Sequence, residues 1–172
     1  MQTVTHLGEK TKGNLIVPTD LKREGVGQIE ESLNLLLADV FALYLKTKSF
    51  HWHISGPHFR DYHLLLDEQA AQIFAMSDDI AERTRKIGGS TLRSISDISR
   101  HQRLPDNNDA TLSATDMLAE LCSDNRQLTG FLRQTHEVAS GNDDVATASL
   151  VENWIDEAER RTWFLSAAFG ES

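Results

Sequence analysis

From Val26 onward the apolar residues of this 172-residue chain recur in alternating steps of three and four, a spacing that leaves little choice of local structure. The first series, Val26, Ile29, Leu33, Leu36, Val40, Leu43, Thr47 and Phe50, is the stripe of an α-helix packed in a bundle. A second strip of Leu35, Leu37, Phe41 and Leu45 widens it, so this helix is expected to be covered on more than one side. Gly56-Pro57 breaks the pattern, and another series follows almost at once: Tyr62, Leu66, Ala70, Ile73, Ser77, Ile80, Thr84 and Ile87, stopped by Gly88-Gly89. So short a connection makes the two helices antiparallel neighbours.

The segment from Ser90 to Leu112 is different. It carries a short amphipathic piece with Leu92, Ile95 and Ile98, then a polar turn from Pro105 to Asp109, and reads as a small helix inside a long crossover. Ser113 and Asp116 form a capping box for a third long helix with Met117, Leu121, Leu128, Phe131, Leu132 and Val138, ending at Ser140-Gly141-Asn142. A fourth starts near Asp143 and carries Val145, Val151, Trp154, Ile155, Ala158, Thr162, Leu165 and Phe169 before Gly170. Four long helices with one long connection between the second and third predict an all-α, ferritin-like four-helix bundle with a short extra helix in that crossover. Residues 1–24 lack periodicity and contain Gly8, Gly13 and Pro18, so they read as a flexible N-terminal arm before a bundle domain at 25–170.

Composition narrows the partners. A formal charge of −9 excludes a globally basic nucleic-acid-binding surface and favours cations. Cys122 is the sole cysteine, which excludes an intrachain disulfide, and its apolar surroundings predict a buried, inert thiol. No leader and no membrane span are expected, because the longest apolar run, Leu35 to Leu45, is interrupted by Asp39; a cytoplasmic location follows.

The stretch from His51 to Glu82 gathers His51, His53, His58, His63, Asp67, Glu68, Asp78, Asp79 and Glu82, side chains that hold iron, manganese or zinc. At about 100° per residue, His63, Asp67, Asp78 and Glu82 share one arc of the second helix, beside its Tyr62/Ile73/Ile80 core face. The midpoints of the pairs His63/Asp67 and Asp78/Glu82 lie about 22 Å apart along the axis, too far to share a metal within one straight helix. Two chains paired antiparallel about a twofold axis near residues 72 and 73 bring the pairs together twice, with His51 supplied from the end of the first helix. Leu64, Ala71, Phe74 and Ala75, apolar or small residues between the pairs, suit such a contact. Taken singly, each i, i+4 pair reads as a solvated helix face, as do Asp79 and Glu68. His53 and His58 sit at a turn without a carboxylate partner, and a tryptophan such as Trp52 is ordinarily a core residue.

The run Phe50-His51-Trp52-His53-Ile54, Gly56 and Phe59, then His63, Leu66-Asp67-Glu68 and Asp78-Asp79-Ile80-Ala81-Glu82-Arg83, resembles the motif of the Dps proteins, mini-ferritins named as DNA-binding proteins from starved cells. The resemblance covers nearly everything after the arm. It implies a ferroxidase centre of His51, His63 and Asp67 from one subunit with Asp78 and Glu82 from its twofold mate. It further implies a hollow dodecamer that oxidises Fe(II) at dinuclear iron centres, preferably with hydrogen peroxide, stores ferric mineral and protects against oxidative stress. Trp52, beside His51, is a candidate to intercept stray oxidising equivalents. Ordinary ferritins use Glu-x-x-His motifs within one bundle, and no such motif occurs in this sequence.

Acidic entry pores are an accompanying expectation, with Asp143, Asp144 and Glu152 the residues to test first; an ordinary negative N-terminal turn explains them equally well. DNA binding, the alternative protective role, is expected to be secondary. The arm carries Lys10, Lys12, Lys22 and Arg23 against Glu9, Asp20 and Glu24, four charges against three, for a net +1.

Overall fold

The computed structural model describes residues 17–170. Five helices follow one another: α1 (Arg23–His53), α2 (Phe59–Lys86), α3 (Ile95–His101), α4 (Ala114–Gly141) and α5 (Val145–Phe169). No strand occurs among the described residues. The four long helices form the bundle, and α3 is the extra helix of the crossover. Helix α1 begins at Arg23, so Arg23 and Glu24, read from sequence as arm, are helical; residues 1–16 of that arm lie outside the described residues.

Local chemistry sets the ends. Gly56 and Gly88 adopt φ of 111° and 90°, the left-handed region where a side chain is strained, and they turn the chain after α1 and after α2. Ser94 and Ser113 accept hydrogen bonds from the backbone N–H groups of Asp97 and Asp116, capping α3 and α4. Asp144 caps α5 by accepting from the Thr147 N–H.

Helices α1 and α2 pack as one antiparallel pair and α4 and α5 as the other, with α1 against α4 and little contact between α2 and α5. Leu33, Leu36, Leu43, Ile73, Leu121 and Leu128 are fully buried among them. Each contributes about 1.5–3 kcal/mol by leaving water. Two buried ionic contacts fix the register. Lys46 on α1 reaches Glu120 (2.9 Å) and Asp124 (2.8 Å) on α4. Burial pushes the Asp124 carboxyl up, and Lys46 partly offsets that. Asp39, which in the sequence only breaks an apolar run, is fully buried and accepts from the backbone N–H of Arg103 (2.6 Å) and Leu104 (3.1 Å) and from Arg103 Nε (2.8 Å). The Arg103 guanidinium also lies 3.8 Å from the centre of the Phe131 ring. The crossover is thereby pinned to the middle of α1.

Among the described residues the second strip of α1 is only partly covered. Leu37 is buried, but Leu35 and Phe41 are half-buried and Leu45 is 59% exposed. Cys122 is buried and its thiol is pushed up by burial, as expected for an inert sulfur. No helix among the described residues is long and apolar enough to cross a membrane.

Candidate metal centre

The end of α1 and the first turns of α2 lie side by side because the α1–α2 connection is short, and this brings His51 onto His63. His51 Nδ1 donates to the His63 carbonyl (2.8 Å), and His63 Nδ1 donates to the His51 carbonyl (2.9 Å). A carbonyl can only accept, so both Nδ1 atoms carry hydrogen, and in each neutral ring Nε2 keeps its lone pair. A metal-binding histidine is held in this way, its second ring nitrogen tied to a backbone oxygen. The rings stack with centroids 3.7 Å apart, and the Phe59 ring lies 5.1 Å, centroid to centroid, from that of His63. His51 is buried and His63 half-buried.

Asp67, one turn beyond His63, completes this half. Its Oδ1 lies 4.0 Å from His51 Nε2 and 2.6 Å from Lys48 Nζ. Lys48 holds the Asp67 carboxyl below its ordinary range, by hydrogen bond and by charge, with the two histidines adding a smaller pull. Sequence reasoning missed Lys48. Its one signal was a lysine three residues before a candidate ligand, on the same face of α1.

Asp78 and Glu82 stand far along α2. Both are exposed, and Glu82 pairs with Lys86 at 3.0 Å. Asp78 borders a groove lined by Leu37, Phe41, Ala81, Leu92 and Ile98. Thus the fold brings His51, His63 and Asp67 together and leaves Asp78 and Glu82 apart. Among the described residues of one chain, no three His, Cys, Asp or Glu side chains converge closely enough to hold a metal ion. Between the two halves, Leu64 (50%) and Phe74 (48%) are exposed, as are Ala71 and Ala75.

Of the other candidates, Trp52 departs from the ordinary reading of its residue type, whereas the exposed His53, His58, Glu68 and Asp79 agree with theirs. Trp52 is not a core residue: it is 59% exposed, because His51 beside it takes the inward position. His53 donates from Nδ1 to the Ser49 carbonyl (2.7 Å) and is exposed, as are His58, Glu68 and Asp79. Asp144 is unsuited to a pore, since it is buried under Arg83 (2.6 Å) and bonded to Thr147 as the α5 cap. Glu152 is exposed and pairs with His136 at 3.1 Å.

A bundle of two antiparallel helix pairs, joined by a long crossover and bearing imidazole and carboxylate donors on its second helix, defines the ferritin-like class, and the ferritin-like domain family matches residues 30–171. The chain is 32% identical over 163 residues, 94% of its length and 78% of its relative's, to DNA protection during starvation protein 1 of Deinococcus radiodurans. It is 36% identical over 149 residues, 86% of this chain and 81% of the relative, to a low temperature-induced protein of Nostoc sp.. Among solved structures it resembles Dps from Thermosynechococcus elongatus, with a TM-score of 0.84 at 27% identity, covering 87% of this chain and 94% of that one. The chain belongs to the Dps family.

Proposed function

We propose that this chain is the subunit of an iron-storing, iron-detoxifying shell, a dodecamer built from twofold dimers, that oxidises Fe(II) to Fe(III) at centres shared between subunits. The observation that carries this reading is the reciprocal lock of His51 and His63, which presents Nε2 lone pairs beside the Asp67 carboxylate. Imidazole and carboxylate suit first-row transition metals, and the negative charge of the carboxylates favours Fe(III) over Fe(II). Asp78 and Glu82 of a second copy would complete each centre, and the exposed Leu64, Ala71, Phe74 and Ala75 between the halves are the surface such a copy would cover. This fit is that of a substrate site, since iron enters reduced and leaves as mineral.

Two ferrous ions side by side supply the two electrons that hydrogen peroxide needs: 2 Fe(II) + H2O2 + 2 H+ give 2 Fe(III) + 2 H2O, without release of hydroxyl radical. Trp52, exposed next to His51, is placed to intercept an oxidising equivalent that escapes. The test compares anaerobic Fe(II) loading followed by peroxide in wild type, in His51→Ala/His63→Ala and in Trp52→Phe. The double variant should lose rapid oxidation and mineral retention, and Trp52→Phe should keep both while releasing more hydroxyl radical to a spin trap. Equal oxidation rates in wild type and the double variant would sink the reading.

DNA protection is a second reading, favoured by the name of the Deinococcus radiodurans relative. The chain's charge of −9 opposes it, and the arm proposed for residues 1–24 adds a net +1. Gel shifts at low and moderate salt, with and without residues 1–24, should show at most weak, salt-sensitive retention that needs the arm. Tight retention at moderate salt would make DNA binding a principal activity.

A further inference from the structure

Asp39 and Asp124 are both buried carboxylates, and they are held very differently. Asp39 accepts from two backbone N–H groups and from the Arg103 guanidinium. Asp124 on α4, 2% exposed, has one hydrogen-bond partner among the described residues, Lys46 Nζ at 2.8 Å. That ammonium is shared, because it also donates to Glu120 Oε1 at 2.9 Å. Glu120 in turn accepts from the Asn107 side-chain amide of the crossover. A buried carboxylate stays ionised where several donors or an unshared cation compensate for the water it has lost. Asp124 has neither.

The charges acting on Asp124 are Lys46 from α1 and Glu120, one turn back on α4; among the described residues no charged group of α2 or α5 acts on it. Asn107 brings the crossover to the cluster without a charge. One ammonium thus faces two carboxylates, one positive charge against two negative, with Lys46 and Asp124 both out of water. Burial is the largest influence on the Asp124 carboxyl and raises it; Lys46 opposes that rise, and the Glu120 charge adds to it. The Glu120 side chain, 26% exposed, borders solvent and gives a proton a way in. Of the two carboxyls, the more deeply buried Asp124 is the one that gains by losing its charge.

We propose that Lys46, Glu120 and Asp124 form a proton-binding site inside the bundle. On acidification Asp124 takes up one proton from solvent, the ammonium passes wholly to Glu120, and α1, α4 and the crossover stay tied through a balanced pair. The sign follows from burial. Asp124 binds its proton more readily in the folded chain than in the unfolded one. Its contribution to stability is therefore complete below the ordinary 3.8 and is lost as pH rises through the raised folded value. Mild acid, which loosens a bundle held by unshared ion pairs, tightens this one at the Lys46 cluster.

The test uses the full chain, metal-free and at fixed concentration, as wild type, Asp124→Asn and Glu120→Gln, over a window of about pH 4 to 7. Asp124→Asn has the shape of the protonated form at every pH. The Tm of wild type, taken relative to that variant, should fall by about 2–4 °C as pH rises across the window. Infrared difference spectra should show a protonated carboxyl appearing in wild type on acidification and missing from Asp124→Asn. In Glu120→Gln one ammonium faces one carboxylate, so the same band should appear only at lower pH. If Asp124→Asn fails to fold, the infrared titrations of wild type and Glu120→Gln still decide. Parallel Tm profiles for wild type and Asp124→Asn, or a carboxyl band that survives in Asp124→Asn, would overturn the assignment. A band that appears at the same pH in wild type and Glu120→Gln would overturn it equally.

Discussion

Lys48 is the residue on which the proposed chemistry turns most sharply. Its ammonium sits 2.6 Å from the Asp67 carboxylate, where an incoming cation must compete with it. Replacing it by methionine removes a positive charge from a site meant for cations. Lys48→Met should therefore bind Fe(II) more tightly, by on the order of tenfold, in anaerobic calorimetry. Unchanged or weaker binding would show that Lys48 does not compete. The same contact sets a pH dependence. A carboxyl depressed below its ordinary 3.8 favours the folded state above that pH, and the contribution is lost as pH falls through the lowered value. In Lys48→Met the Asp67 titration, followed by NMR, should move back up toward 3.8.

At the scale of the element, Asp39 shows how a charge can be structural. Asp39→Ala leaves two backbone N–H groups and the Arg103 guanidinium without their acceptor, and should cost about 3–5 kcal/mol. The check is the urea midpoint at fixed chain concentration, with loss of the crossover's protection in hydrogen exchange. The sequence made this helix legible through its three-four periodicity and hid the anchor, since an aspartate inside an apolar run signals an interruption and names no partner 64 residues away. Asp144 was hidden for the same reason. Its neighbours suggested an acidic pore, whereas Arg83, from another helix, and Thr147 consume its oxygens. Capping by Ser113 was readable because cap and capped N–H lie three residues apart. His63, Asp67, Asp78 and Glu82 were readable as a common face because helix geometry is local. The mutual Nδ1 bonds of His51 and His63, and the claim of Lys48 on Asp67, depend on how two helices meet, and the three-residue step from Lys48 to His51 was the one trace they left in spacing.

For the whole molecule, division of each centre between two copies makes a specific prediction. His63→Ala lacks the front half of the proposed centre, and Glu82→Ala lacks the back half. Each variant alone should be inactive. Co-assembled, a mixed dimer has one centre with both halves intact and one with neither, so random mixing should restore about a quarter of wild-type centres. Failure of mixed assemblies to recover any oxidation would place all ligands in one chain. The exposed Leu45, Leu64 and Phe74 fit the same proposal, as a surface that a second copy would cover. The Lys48–Asp67 contact gains another meaning in this setting. A newly made, solitary chain offers the metal two imidazoles and a carboxylate that its own ammonium already holds. In the proposed centre such a chain would be a poor chelator, and ferrous ion would not be concentrated where it could reduce peroxide one electron at a time. Lys48 would then act as a safety catch, withdrawn only when the carboxylates of a second subunit make the metal the stronger competitor.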